Sequence, residues 1–83
     1  MSNILRTVYN AKKRTLTQQR LNMLKFIDGY MKQYGWAPSN TDIRRACYVA
    51  RTYVYEQLMT LMELGYIEYK GSRQIRVLRM PEA

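Results

Sequence analysis

The chain has 83 residues, of which 14 are Lys or Arg and 6 are Asp or Glu, so its formal net charge is +8. A chain of this length forms one small domain and is too short to hold a second, catalytic domain. The excess of positive charge predicts a polyanionic partner, most simply a nucleic acid, with an anionic membrane surface as the weaker alternative.

The first fifteen residues carry four basic and no acidic side chains, together with a weak apolar stripe. Three interpretations stay open: a short amphipathic helix packed on the domain or on a second subunit, an arm that orders on DNA, and a solvated basic tail. In the second interpretation the candidate contacts are Lys12, Lys13 and Arg14. We therefore treat residues 1–15 as an N-terminal extension of the folded domain.

The clearest predicted helix extends from Leu16 to Gly35. Thr17 is placed to cap it, Leu16 and Leu21 occupy the positions of a hydrophobic staple, and Gly35 is a typical left-handed residue at a helix end. Apolar residues recur along it three or four positions apart, which predicts one buried stripe. That stripe consists of Leu21, Leu24, Ile27, Met31 and Tyr34, widened by Met23, Phe26 and Tyr30.

A second helix is predicted to begin near residue 40. Pro38 cannot continue the preceding helix, and Ser39 with Asp42 three residues later forms the pattern of a capping box. The exposed face of this helix carries Arg44 and Arg45, which are placed to clamp a phosphate backbone.

Residues 43–64 carry two short apolar stripes whose phase is reset between Cys47 and Val54. Two helices that are joined by a short turn and cross near a right angle share one small core, and only one apolar stripe of each helix can enter it. A change of phase between the two stripes is therefore expected at the turn. The turn is unusual, because Tyr48 stands where glycine is common and Ala50 is a poor helix cap. We predict a helix-turn-helix whose second helix covers residues 51–64. The stripes are Ile43, Ala46 and Cys47, then Val54, Leu58 and Leu61, with Val49 in the turn.

The end of the chain predicts a β-hairpin. Gly65 stops the preceding helix, and residues 66–69 and 75–78 alternate in polarity on either side of a polar turn at residues 70–74. The expected fold class is therefore mainly α (α+β). It is a three-helix winged helix-turn-helix at residues 16–79 with a C-terminal two-stranded β-hairpin wing, followed by a tail at residues 80–83.

These segments together resemble the N-terminal DNA-binding domain of the LexA repressor family, over roughly residues 16–78. The resemblance implies the winged helix-turn-helix fold and a transcriptional repressor, with the family's base-contacting region falling on residues 51–56. The family's self-cleaving peptidase domain lies outside it, so we expect no Ser–Lys self-cleavage. The residues that carry it are Leu16-Thr17, Gly35-x-x-Pro38-Ser39 with Ile43 after it, and Leu61-x-x-x-Gly65-Tyr66-Ile67.

In helix-turn-helix proteins the N-terminal end of the second helix meets base edges in the major groove. Arg51 could read guanine through O6 and N7, and Glu56 could accept from a cytosine amine. Tyr53 and Tyr55 fit phosphate or stacking contacts and equally an interface or the edge of the core. The expected base contacts are Arg51, Thr52, Tyr53, Tyr55 and Glu56. The expected DNA backbone contacts are Ser39, Arg44, Arg45, Lys70, Ser72, Arg73 and Arg76, although a solvated basic surface would have the same composition.

Enzyme chemistry finds little support in the composition. The chain has no histidine, one cysteine and no carboxylate pair at a spacing that suggests acid–base work or a metal site. We therefore expect no enzyme activity, no metal and no cofactor, and we expect Cys47 to be a buried apolar residue. A lone cysteine, with neither a signal peptide nor an 18-residue apolar run, indicates a reducing cytoplasm and no membrane partner.

Two functions of different class fit these features. The first is a sequence-specific regulator that binds double-stranded DNA, as a homodimer if residues 1–15 or 80–83 mediate association. The second is a winged-helix protein-binding module, a small inhibitor or adaptor whose basic face engages a protein or nucleoprotein partner. The net charge of +8 favours the first, since a protein that mimics nucleic acid would more often be acidic.

Overall fold

A computed structural model describes residues 15–81 and shows three helices followed by an antiparallel two-stranded hairpin. This confirms the winged helix-turn-helix expected from the sequence. The predictions made for residues 1–14, including contacts by Lys12, Lys13 and Arg14, and those for residues 82–83 lie outside the described residues. The elements are α1 (Gln18–Tyr34), α2 (Asn40–Cys47), α3 (Arg51–Glu63), β1 (Ile67–Gly71) and β2 (Gln74–Val77).

The predicted caps hold α1 and α2 at their ends. The Thr17 hydroxyl accepts from the backbone N–H of Arg20 at 3.3 Å, and Gly35 ends α1 in the left-handed region with φ 82°. At the start of α2, the Ser39 hydroxyl accepts from the Asp42 N–H and the Asp42 carboxylate accepts from the Ser39 N–H, both at 3.0 Å. These reciprocal bonds satisfy backbone donors that a helix start would otherwise leave unpaired.

One apolar core lies where the three helices meet the hairpin. The stripe on α3 is confirmed, but Ala46 on α2 is exposed and Tyr34 on α1 is 46% exposed, against expectation. Helix α1 has 17 residues and α2 has 8, so the first is about 25 Å long and the second about 12 Å. The last turn of α1 therefore extends beyond the core. The buried apolar residues are Met23, Leu24, Ile27, Ala37, Ile43, Val54, Leu58, Leu61, Ile67 and Ile75.

A buried polar pair joins α1 to α3, and neither residue was expected in the core. The Arg20 Nε donates to the side-chain oxygen of Gln57 at 2.7 Å, and its Nη1 donates to the backbone oxygen of Thr15 at 2.7 Å. Because an unpaired polar group in this position would be costly, the pair favours one rotation of α3 about its axis.

The hairpin is tighter than the sequence indicated. Tyr69 pairs with Ile75 and Gly71 pairs with Gln74, with an irregularity between Tyr69 and Gly71, so the loop is only two residues, Ser72 and Arg73. The predicted turn at residues 70–74 was therefore too long. A positive φ of 153° at Gly71 and of 62° at Arg73 closes the chain within this short distance.

Among residues 15–81, none of the helices has the length and apolar character required to cross a lipid bilayer. The same residues contain no group of three or more Cys, Asp or Glu side chains that could hold a metal ion. Cys47 is half-buried, and burial raises the pKa of its thiol, which disfavours the reactive thiolate.

Candidate nucleic-acid interface

The N-terminal half of α3 presents an exposed polar face. Its core stripe of Val54, Leu58 and Leu61 turns the opposite side of the helix outward. The structure thereby brings four of the five predicted base contacts to the surface of one helix end. These four are Arg51, Thr52, Tyr55 and Glu56.

The start of α3 differs chemically from the starts of the other two helices. Ala50 occupies its cap position without a side-chain hydrogen bond, whereas Thr17 and Ser39 cap the other two helices. Its first turn begins with Arg51 and, like that of α1, contains no acidic residue. The first N–H groups of a helix carry a partial positive charge, so an adjacent cation is unfavourable for the isolated helix. An uncapped helix start with an arginine is suited to an anionic partner.

The fifth predicted base contact, Tyr53, lies apart from the other four. It is half-buried, and its hydroxyl donates to the side-chain oxygen of Gln19 in α1. Tyr53 and Tyr55 are two residues apart, which puts them about 160° apart around the helix axis. The geometry therefore gives Tyr53 a contact between helices and leaves Tyr55 facing outward.

Tyr55 belongs to a chain of contacts that links α3, the hairpin and α2. Its ring meets the ring of Tyr69 on β1 edge-on, with centroids 6.2 Å apart. The Tyr69 hydroxyl accepts from the side-chain amide of Asn40 at 2.9 Å, and the Asn40 backbone N–H donates to the Ser72 hydroxyl at 3.0 Å. Nothing in the sequence marks Asn40 or Tyr69 as functional, because their hydrogen bond joins positions 29 residues apart.

Arg73 fastens the hairpin loop to the segment that precedes α2. Its backbone N–H donates to the Pro38 carbonyl at 3.2 Å, its Nη1 donates to the Ala37 carbonyl at 3.2 Å, and its Nη2 lies 3.4 Å from the Asp42 carboxylate. The sequence predicted a DNA backbone contact for this side chain. The structure places its guanidinium on partners within the domain, where it fixes the position of the loop.

The Asp42 carboxylate is stabilised in its charged form. Its pKa lies below the ordinary value, first because it accepts from the Ser39 backbone N–H, then because of the Ser39 hydroxyl, Arg73 and Tyr30, while partial burial opposes the shift. At neutral pH this carboxylate is therefore ionised and can hold both the cap of α2 and the guanidinium of Arg73.

The remaining predicted backbone contacts differ in their surroundings. Lys70 is exposed and belongs to no ion pair among residues 15–81, whereas Arg76 is exposed and lies 2.6 Å from Glu68. Arg44 and Arg45 lie in the last turn of α2, where positive charge also stabilises the helix end. Arg45 lines a groove between α1 and α2.

Tyr48 is a feature of this surface that the sequence marked only as unusual. It adopts the left-handed conformation with φ 57° and ψ 47°, and it is 93% exposed. A residue other than glycine pays about 1–2 kcal/mol for that conformation. Its backbone N–H donates to the Arg44 carbonyl and closes the end of α2, but the side chain gains almost no burial among residues 15–81.

The sequence is similar to a family profile and to a repressor of known family. The sequence profile described as the LexA DNA binding domain matches residues 13–79. The LexA repressor of Granulibacter bethesdensis is 28% identical over 71 residues, which cover 82% of this chain and 29% of that repressor. The chain thus spans less than a third of the length of this relative. Both matches agree with the resemblance found from the sequence.

Proposed function

The chain belongs to the family of LexA DNA-binding domains, and we propose that it is a non-catalytic, sequence-specific regulator of transcription, acting as a repressor on double-stranded DNA. The observation that carries this proposal is the start of α3, where an uncapped helix end and Arg51 lie beside exposed Thr52, Tyr55 and Glu56. This arrangement weakens the free domain slightly and becomes favourable when a phosphate or a base edge approaches.

In the proposed complex α3 enters the major groove. Arg51 donates two hydrogen bonds to guanine and Glu56 accepts from cytosine, and each well-formed bidentate pair discriminates against a wrong base by about 1–3 kcal/mol. Tyr55 reaches the same groove with its ring held by Tyr69. A side chain restrained before binding loses less conformational entropy when it makes its contact.

The backbone contacts follow the edges of this face. We assign them to Ser39 at the cap of α2, to Arg44 on α2, and to Lys70, Ser72 and Arg76 on the hairpin. Arg45, which the sequence also placed among them, lies about 100° around α2 from Arg44 and lines the groove between α1 and α2, so we assign it no DNA contact. Arg73 acts indirectly, because its contacts with Ala37, Pro38 and Asp42 determine where the loop lies. Such contacts set affinity and register, whereas sequence is read by α3.

Two copies are proposed to bind together on DNA, since a helix-turn-helix commonly reads paired half-sites through a dimer. Sedimentation of the chain at high concentration, alone and with duplex DNA, tests this directly. A strictly monomeric profile in both samples, with one chain per duplex that contains two half-sites, would refute it.

Binding to DNA is tested by fluorescence anisotropy with a labelled random duplex over a series of salt concentrations. The logarithm of affinity should fall linearly with the logarithm of salt concentration, at a slope of about −0.9 per neutralised phosphate. The Arg44→Ala/Lys70→Ala variant removes two of the assigned backbone contacts, so its slope should be shallower by about 1.8, one phosphate for each side chain.

The matched control for that variant is Lys25→Ala/Arg45→Ala, which removes the same charge from the groove between α1 and α2. Its slope should equal that of the wild type. Absence of salt-dependent binding at low salt would exclude the proposed function. Equal losses in the two double variants would place DNA on a different face.

Tyr48 is expected to contact the DNA backbone, because its exposed phenol is kept at a cost to the fold. The Tyr48→Gly variant should be about 0.5–1 kcal/mol more stable, since relief of the left-handed strain exceeds the added entropy of the unfolded chain. Its affinity for DNA should fall about three- to tenfold, as expected when one hydrogen-bonding contact is lost.

Thermal unfolding and anisotropy measure the two effects separately. Tyr48→Asn serves as the control, because asparagine tolerates the left-handed region while it lacks the phenol. If Tyr48→Gly gains stability and binds DNA as tightly as the wild type, the phenol has no role in binding.

A further inference from the structure

A groove with a volume of about 580 Å³ lies between α1 and α2. Among its lining residues are Ala46 and Arg45 on α2. Ala46 lies about 160° around the helix from Arg44, because successive residues of an α-helix rotate by about 100°. The groove therefore opens on the side of α2 away from Arg44, and a partner could occupy it while α3 contacts DNA.

One wall of the groove is lined by the rings of Phe26, Tyr30 and Tyr34. These three rings and Trp36, which lies just outside the groove lining, are hereafter called the aromatic row. Successive ring centroids along α1 are 5.8 and 4.5 Å apart, and Trp36 continues the row 6.0 Å from Tyr34. Tyr34 is 46% exposed and Trp36 is 57% exposed. Phe26 and Tyr30 are half-buried, so the exposed part of the row is its end at Tyr34 and Trp36. Exposed neighbouring aromatic rings are typical of a binding site.

The floor of the groove contains two small exposed residues, Gly29 on α1 and Ala46 on α2. Glycine inside a helix costs about 1 kcal/mol relative to alanine. Apart from its chain neighbours and the nearby backbone of its own helix, no atom of the described residues lies within 4 Å of the position that a Cβ at Gly29 would take. Packing within residues 15–81 therefore gives no reason for this glycine, whereas close approach of another helix does.

The rim of the groove is basic. Lys25 and Arg45 line it, and neither belongs to an ion pair among residues 15–81. The acidic residue that the structure describes in the lining, Asp42, is already bound by Ser39 and Arg73. The groove thus offers two cations to an incoming ligand and holds its own carboxylate in other contacts.

We propose that this groove docks an acidic amphipathic helix of a protein partner. Apolar side chains of that helix pack on the aromatic row, its backbone approaches Gly29, and its carboxylates pair with Lys25 and Arg45. This is helix-in-groove recognition, in which anchors recur three and four residues apart. The site shares none of the residues assigned to DNA, so binding of the partner helix can be tested independently of DNA binding.

Charge and ring geometry distinguish this partner from the alternatives. A second copy of the chain carries the same net charge of +8, and residues 1–14 contain four basic and no acidic side chains, so both would be repelled by the rim. Single-stranded nucleic acid needs free ring faces for stacking. The rings of the row are inclined to one another by 55° and 49°, and the Tyr30 hydroxyl is bound to Asp42.

The test is selection from a displayed library of random 16-residue peptides on the full chain, followed by titration of the enriched peptides. Trp36 is the only tryptophan in the sequence, so its fluorescence reports binding at the aromatic row without a label. We expect enriched peptides with Asp or Glu on one helical face and apolar residues at positions i, i+3, i+4 and i+7. Their affinity should fall at least tenfold in Lys25→Ala/Arg45→Ala.

Gly29→Ala is the decisive second variant, because it should raise the thermal midpoint and leave DNA affinity unchanged. Its affinity for the selected peptides should fall at least fivefold. The proposal is overturned if Gly29→Ala binds them as the wild type does, if selection enriches no acidic helical pattern, or if a dT12 oligonucleotide alters Trp36 fluorescence at lower concentration than the peptides. Concentration-dependent self-association that Gly29→Ala abolishes would instead assign the groove to a second copy.

Discussion

Replacing Arg20 with methionine is expected to lower the free energy of unfolding by about 2–3 kcal/mol, because the side-chain oxygen of Gln57 would stay buried without its donor. The two side chains are only 9% and 8% exposed, and their hydrogen bond is 2.7 Å long. Methionine retains much of the apolar length of the arginine stem, so the loss reports the polar contacts. Urea unfolding followed by circular dichroism measures the change.

The control is the Arg20→Met/Gln57→Leu double variant, in which neither position keeps a buried polar side chain. The Thr15 carbonyl loses its Arg20 donor in the single and the double variant alike, so the comparison isolates the Gln57 oxygen. Replacing both partners of a buried pair with apolar groups is often close to neutral, so this variant should recover at least half of the loss. If the double variant is as unstable as the sum of the single ones, the pair does not account for the stability. A recovered fold with weakened DNA binding would show that the pair orients α3.

Leu58→Ala is expected to destabilise the domain by about 3–4 kcal/mol, the largest effect of any single change considered. Leu58 is fully buried on α3, one turn after the exposed Tyr55 and two turns after the exposed Arg51. A chain of 83 residues has a total stability of about 4–12 kcal/mol, so the loss could unfold much of the population. DNA affinity should fall only in proportion to the folded fraction at each temperature.

Thermal unfolding beside anisotropy at two temperatures separates stability from binding in this variant. Glu63→Ala, an exposed change on the same helix, should alter stability by less than about 0.5 kcal/mol. A loss below about 1 kcal/mol for Leu58→Ala would contradict the position assigned to this side chain in the core.

The features that the sequence predicted correctly are those with local causes. Thr17, Gly35, Ser39 and Asp42 act on backbone groups within four residues, so their spacing alone was sufficient to predict the ends of α1 and the start of α2. The core stripe of α3 was likewise readable, because helical periodicity is a local property. The same holds for the order of helices and strands.

The features that it could not predict depend on contacts between distant positions. Arg73 and Asp42 are 31 residues apart, and Arg20 and Gln57 are 37 apart. In a single sequence, an arginine that anchors a loop cannot be distinguished from an arginine that binds a phosphate. Composition therefore identified a basic surface, while only the fold showed that Arg73 is already engaged.

The two tyrosines of α3 also show that contacts between helices cannot be predicted from local sequence. Tyr53 and Tyr55 flank the core stripe on opposite sides, and both fitted an exposed face by composition. The fold directs Tyr53 to Gln19 and Tyr55 to Tyr69. Which flank of a helix is covered depends on where its neighbours lie, and periodicity carries no information about that.

The attachment of the hairpin loop has a consequence for how the domain would meet its target. Asn40 holds Ser72 and Pro38 holds Arg73 before any ligand is present. A segment that orders only on binding commonly costs about 2–5 kcal/mol of the interaction energy, and a loop fixed in advance avoids that cost. Helix α3 and the hairpin loop therefore approach DNA as one rigid body. The distance between the base contacts of α3 and the backbone contacts of the loop is fixed by the protein before it binds.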